Sequence, residues 1–173
     1  MPLLVLAYPQ LEKKDFEWIQ SFRSKYDERY YTWIEPHFTI VFPVEEVNIK
    51  RLTDHMEKAS KKFKEFYFVL RCAQIVKDSF RDYTDLFLIT EEGCRIFVKL
   101  HDTMYRGILE DELRLDISFI PHMGIANSRD PLTCEKLADE INSINPEVFG
   151  AVNKLDIVLR EGEKVNPIKE IKL

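Results

Sequence analysis

The 173-residue sequence is short of glycine, of cysteine and of positive charge, and each shortage removes a class of function. Only five glycines occur, and none fall in the spaced patterns whose backbone N–H groups cradle the phosphates of ATP or a dinucleotide. No Gly-x-Ser-x-Gly elbow is present to expose a nucleophilic serine. The three cysteines, Cys72, Cys94 and Cys134, are odd in number, far apart and set in apolar patterns. A disulfide framework is disfavoured, and a reducing, cytoplasmic setting is expected. Neither Cys-x-x-Cys nor His-Glu-x-x-His appears, so no metal or other cofactor is expected. No run approaches the roughly 20 apolar residues that span a bilayer, and Met1 to Pro9 has no basic leader, so it reads as a first strand and no membrane partner is expected. A formal charge of −5 disfavours an extended duplex nucleic acid, which needs a basic surface. A small anionic ligand is compatible with that charge, because a pocket's local field need not follow the total. The chain is expected to be monomeric.

What is present is a globular pattern, 45% hydrophobic and 12% aromatic, long enough for one well-buried core. Phe16, Ile19, Phe22 and Tyr26 mark a helix from about residue 11 to 25. Asn48 reads as an N-cap, with Ile49, Leu52, Met56, Ala59 and Phe63 following at spacings of three and four. Residues 66–75 and 86–90 read as strands joined by a polar hairpin loop, with Arg81 and Tyr83 at its tip as candidates for substrate contact. A helix is predicted from about Cys94 to Leu109. After a loop at Asn127 to Pro131, Asp130 or Thr133 can cap a helix that carries Leu137, Ala138 and Ile141 and ends near Pro146. Phe149, Ala151, Asn153, Leu155, Ile157 and Leu159 alternate as one strand over eleven residues. Glu161-Gly162-Glu163 turns the chain into a last strand, which Pro167 places at an edge. The order β-α-β-α-β-β-α-β-α-β-β defines one α+β domain, 1–173.

Two stretches share a design. Pro36-His37-Phe38-Thr39-Ile40-Val41-Phe42 reads as a strand with Phe38, Ile40 and Phe42 on one face and His37, Thr39 and Val41 on the other. Ile120-Pro121-His122-Met123-Gly124-Ile125-Ala126 repeats it, with Met123 and Ile125 turned away from His122 and Gly124. The histidines stand 122 − 37 = 85 residues apart, about half the chain, and each Pro-His strand is followed by a helix, as in a duplicated unit. His55 and His101 lack such a setting and read as surface or internally hydrogen-bonded residues. The aromatics Tyr30, Tyr31 and Trp33 precede the first stretch and are candidates either for the core or for covering a base or sugar.

These two stretches resemble the paired His-x-Thr/Ser-x motifs of the 2H phosphoesterase superfamily, the 2′-5′ RNA ligase-like proteins. The resemblance implies a bilobal, pseudo-two-fold fold, with two antiparallel sheets lining a central cleft and helices outside. It implies an activity on 2′,3′-cyclic phosphates of nucleotides or RNA ends, with His37 and His122 as the catalytic pair and Thr39 as a phosphate-binding hydroxyl. Gly124 stands where the family has Thr or Ser, so the second hydroxyl contact is missing. Ser128 or Arg129 on the adjoining loop are candidates to replace it.

The chemistry is arguable from the residues themselves. Opening a cyclic phosphodiester needs a base to take a proton from water and an acid to give one to the leaving ribose oxygen, and two imidazoles can do both. Thr39, two residues beyond His37, shares its face and can donate to a non-bridging oxygen. A non-catalytic nucleotide or RNA-end binding module is the alternative, and Gly124 motivates it.

Overall fold

The computed structural model describes residues 1–173. The apolar N-terminus forms β1 (Leu3–Ala7), and a two-residue strand, β2 (Gln10–Leu11), precedes α1 (Lys13–Tyr26). The first histidine stretch leads into β3 (Phe38–Val44) and then α2 (Ile49–Ser60). Asn48 caps α2, its side-chain oxygen accepting from the backbone N–H groups of Lys50 and Arg51 at 2.9 and 3.3 Å. The long hairpin is β4 (Phe66–Lys77) and β5 (Thr84–Glu92), followed by α3 (Cys94–Met104) and a 3₁₀ turn over Gly107–Glu112. The second histidine stretch is β6 (His122–Ser128). After it come α4 (Pro131–Ser143), β7 (Val148–Val152), β8 (Lys154–Glu161) and β9 (Lys164–Lys172). Asp130 caps α4, accepting from Leu132 N–H at 3.2 Å and the Thr133 hydroxyl at 2.8 Å, with Pro131 in the first turn.

The strands form two curled antiparallel sheets, in the orders β3-β1-β8-β9 and β2-β7-β4-β5-β6. Each histidine strand is therefore an edge strand, β3 of the first sheet and β6 of the second. Edge strands leave one side open to a cleft. Helix α4 lies on β4 and β5, α1 on β6, and α3 on β3. One continuous cluster of 34 buried residues draws on both sheets and their helices. At its centre Phe97 packs against Phe38, Phe66 and Phe68, with ring centroids 4.3, 4.9 and 5.8 Å away.

Four local expectations fail, each for a physical reason. The eleven-residue strand is two strands. At Asn153, whose carbonyl accepts from Leu173 N–H at 2.9 Å, the chain leaves the second sheet as β7 and enters the first as β8. The buried face changes with the sheet: in β7 Val148 and Val152 are buried and Phe149 is exposed, whereas in β8 Leu155 and Ile157 are buried, so the apolar alternation read across 149–159 is not one face of one strand. The third helix stops at Met104 rather than Leu109, because Gly107 takes φ +71° and the 3₁₀ turn follows. In β3 the facing is not uniform: Val41 is buried and Phe42 only half-buried. The register explains this, since Leu3 pairs with Val44 but Val5 with Val41, so three steps of β3 oppose two of β1. Finally, Asn127 and Ser128 belong to β6 rather than to a loop.

Candidate active site

Proline precedes each histidine, and both Pro36 and Pro121 are buried. The residue before a proline is held extended, which here turns its carbonyl back toward the imidazole two positions on. His37 Nδ1 lies 2.8 Å from the Glu35 carbonyl oxygen, and His122 Nδ1 lies 2.6 Å from that of Ile120. A carbonyl only accepts, so in each neutral ring the proton is assigned to Nδ1, leaving Nε2 as a bare acceptor. The same local arrangement thus occurs on both edge strands.

The two rings line one cleft of about 250 Å³, together with Thr39 and Gly124. Burial pushes both imidazoles down to about 4; for His37 the nearby Arg23 guanidinium and the His122 ring push the same way. Both rings are therefore neutral at pH 7. Their surroundings differ. His122 stacks on Phe87 at 3.6 Å with an interplanar angle of 15°, whereas the His37 ring lies 6.0 Å from that of Tyr8. Burial and the Asp156 and Glu35 carboxylates push the Tyr8 phenol up to about 12.

Gly124 is exposed, and a Cβ placed there would meet only Phe87 Cε1, at 4.0 Å. Neither its backbone nor its neighbours require glycine. The second hydroxyl is missing although there is room for one.

Behind the pair stands a buried polar network that the sequence did not suggest. Arg23 on α1 is 2% exposed. Its Nε donates to Asp27 Oδ2 at 3.0 Å, Nη1 to Gln20 at 2.9 Å and Nη2 to the Ile34 carbonyl at 2.8 Å. Asp27 Oδ1 in turn accepts from Tyr30 N–H at 2.9 Å and Asn127 Nδ2 at 2.6 Å. The network ties α1 and the segment leading to His37 onto β6. Asn127 reaches it because β6 bulges opposite Leu86 and Phe87, which pair with Ala126 and Gly124. The extra residue shifts the alternation by one and turns Asn127 inward. Asp85, opposite Asn127 on β5, also lines the cleft. Burial, with Asp78 and Asp27 adding to it against Arg29, pushes the Asp85 carboxyl up to about 6.

The remaining sequence candidates divide. Trp33 and Tyr30 line the cleft, whereas Tyr31 is exposed. Arg81, Tyr83 and Arg129 come together, but in a neighbouring groove that meets the cleft only at Trp33. There Arg129 sits 5.3 Å from the Tyr83 ring centroid. Ser128 accepts from Asp130 N–H at 3.1 Å and is not part of the cleft wall. Neither it nor Arg129 fills the place left by Gly124. His55 and His101 are held by carbonyls of Met104 and Ile40, both at 2.9 Å, and His101 is buried rather than at the surface. Arg160, which the sequence reading passed over, also lines the cleft. No group of three or more His, Cys, Asp and Glu side chains is arranged to hold a metal, and no helix is long and apolar enough to cross a membrane.

The two curled antiparallel sheets with their helices match the fold of the 2H phosphoesterase structural neighbours. The chain belongs to the 2′-5′ RNA ligase superfamily, whose family model matches residues 10–164. It is 27% identical over 154 residues to a Bacillus licheniformis protein classed by inference as a phosphoesterase, a match covering 88% of this chain and 79% of that one. Among solved structures, a Thermus thermophilus protein superposes with a TM-score of 0.65 at 16% identity, covering 100% of this chain and 98% of that one. Escherichia coli LigT complexed with 3′-AMP gives 0.57 at 15% identity, covering 99% and 97%. Kluyveromyces marxianus Usb1 gives 0.59 at 9% identity, covering 99% and 98%. At these identities the structural matches establish the fold, and the family match places the chain among phosphoesterases.

Proposed function

We propose that the protein hydrolyses 2′,3′-cyclic phosphates of nucleotides or RNA ends, with His37 and His122 as general acid and base and with no metal needed. The observation that carries this reading is the matched pair of imidazoles in one cleft, each with Nδ1 held by a carbonyl and Nε2 left free. One Nε2 takes a proton from water as its oxygen bonds to phosphorus. The bond from phosphorus to one ribose oxygen breaks, and the other imidazolium protonates that oxygen. Thr39 donates to a non-bridging oxygen from the face it shares with His37. Both rings are neutral in the free protein, so the acid acquires its proton when the phosphate anion arrives, because an adjacent negative charge raises an imidazole's pKa. LigT has been crystallised with 3′-AMP, which supports a nucleotide as the ligand class.

Incubation with adenosine 2′,3′-cyclic phosphate in the presence of a chelator tests the reading. Conversion to the 2′- or 3′-monophosphate is expected; an unchanged cyclic phosphate, with other cyclic phosphodiesters also intact, would overturn it. The absent hydroxyl at Gly124 favours one other reading, a module that binds RNA ends without turnover. Ligand protection against heat without product formation would identify it.

A further inference from the structure

Two cations line the cleft, and only one is free. Arg23 spends its donors on Asp27, Gln20 and Ile34. Arg160, at the far end of β8, donates Nε to the Gly162 carbonyl at 3.2 Å and pairs with no carboxylate, so its two Nη groups are unspent. Its guanidinium lies 5.4 Å from the Trp33 ring centroid. Tyr30 holds that indole in turn, with ring centroids 5.0 Å apart. The neighbouring Glu161 carboxylate is engaged by Asn166 Nδ2 at 2.6 Å. Arg160 is thus a half-buried cation with no carboxylate partner, in a cleft whose other arginine is neutralised by Asp27.

Its position separates it from the histidines. Thr39 pairs with Leu6, and Leu6 with Asp156, so Asp156 marks the level of Thr39 on β8. Arg160 lies four residues further along, about 13 Å at the usual rise per residue. The Nε bond to Gly162 holds its stem toward the 161–163 turn, away from Thr39. The guanidinium thus stands toward the far end of the cleft from Thr39, where a second anionic group at the other end of a nucleoside can reach it while the reacting phosphate lies between His37, Thr39 and His122.

Building on the phosphodiester reading, we infer that Arg160, backed by Trp33, is a second anion subsite that binds the 5′-phosphate or 5′-phosphodiester of the nucleotide whose ribose carries the reacting phosphate. The preferred substrate is therefore a 5′-phosphorylated or chain-terminal nucleotide, turned over in preference to a simple nucleoside cyclic phosphate. A charge-assisted pair of this kind changes affinity by about tenfold to a hundredfold.

The test is calorimetric titration with adenosine 3′-phosphate and with adenosine 3′,5′-bisphosphate, on the parent and on Arg160→Gln and Arg160→Lys, with melting curves to establish folding. The bisphosphate is expected to bind the parent at least tenfold more tightly than the monophosphate. That preference is expected to vanish in Arg160→Gln and to survive in part in Arg160→Lys. Equal affinities in the parent, or a preference that persists in folded Arg160→Gln, would overturn the subsite while leaving the phosphodiesterase reading intact. Failure of both compounds to bind would overturn that reading itself.

Discussion

Replacing Gly124 by serine should make the protein a faster enzyme. Glycine here is not enforced: its backbone lies outside the left-handed region, and an added Cβ meets only Phe87 Cε1, at an ordinary 4.0 Å. A seryl Oγ would stand two residues beyond His122 on its face of β6, as the Thr39 hydroxyl stands beyond His37. A hydrogen bond to a phosphate oxygen is charge-assisted and is worth about 1.5–3 kcal/mol. If that bond is made in the transition state, kcat/KM rises by roughly tenfold to a hundredfold. Gly124→Ala separates the hydroxyl from the methylene, since it fills the same space with nothing to donate. The assay is initial-rate hydrolysis of a 2′,3′-cyclic phosphate by the parent, Gly124→Ser and Gly124→Ala, with melting temperatures alongside. An unchanged or lower rate in a Gly124→Ser protein that melts normally would refute the reasoning. It would mean that the glycine makes room for the substrate.

Three further outcomes follow from the same geometry. Both imidazoles are held near 4 against an ordinary 6.5, so the unfolded chain takes up protons first. Their contribution to stability is whole above about pH 6.5 and is lost as pH falls toward 4. At about 1.4 kcal/mol per pKa unit, discounted for rings that keep some contact with solvent, it is on the order of 1–3 kcal/mol each; melting curves across that window should flatten in the double variant His37→Gln, His122→Gln. Binding of inorganic phosphate near pH 6 should draw protons from solution, seen as a dependence of the apparent binding enthalpy on buffer ionisation enthalpy, and binding with no proton uptake would contradict the neutral pair. Arg23→Ala leaves Asp27, whose side chain is only 3% exposed, as an unpaired buried charge, so denaturant unfolding should show a loss of about 3–5 kcal/mol.

The elements were legible in the sequence wherever a single local rule governs them. Asn48 and Asp130 announce their helices because capping is a contact between a side chain and a backbone N–H two or three residues away. The Pro-His strands announce themselves by alternation. What escaped depends on partners distant in sequence. The switch of sheets at Asn153 is set by what β7 and β8 pair with, and it leaves Phe149 exposed while Leu155 and Ile157 are buried. The inward turn of Asn127 depends on a bulge in β6 against β5, invisible without the register. Arg23 gave no signal in the sequence, and the network that buries it is closed from far along the chain, by Asn127 of β6 holding Asp27. Arg81 and Tyr83, expected at the hairpin tip, and Arg129, expected on its own beside Gly124, fall together in a groove next to the cleft, because the hairpin tip and the turn after β6 meet there. His37 and Thr39 were legible as a pair because the strand period puts them on one face, and His122 because its stretch repeats the same Pro-His pattern.

The central claim is that two histidines share the chemistry. Single-turnover hydrolysis of a 2′,3′-cyclic phosphate by the parent, His37→Ala, His122→Ala and the double variant measures it directly. General acid or base help is worth about 10²–10⁴-fold, so each single variant should lose at least a hundredfold, and the double variant little more than either, because the two act as one unit. A single variant that retains near-parental rate while remaining folded would contradict the account.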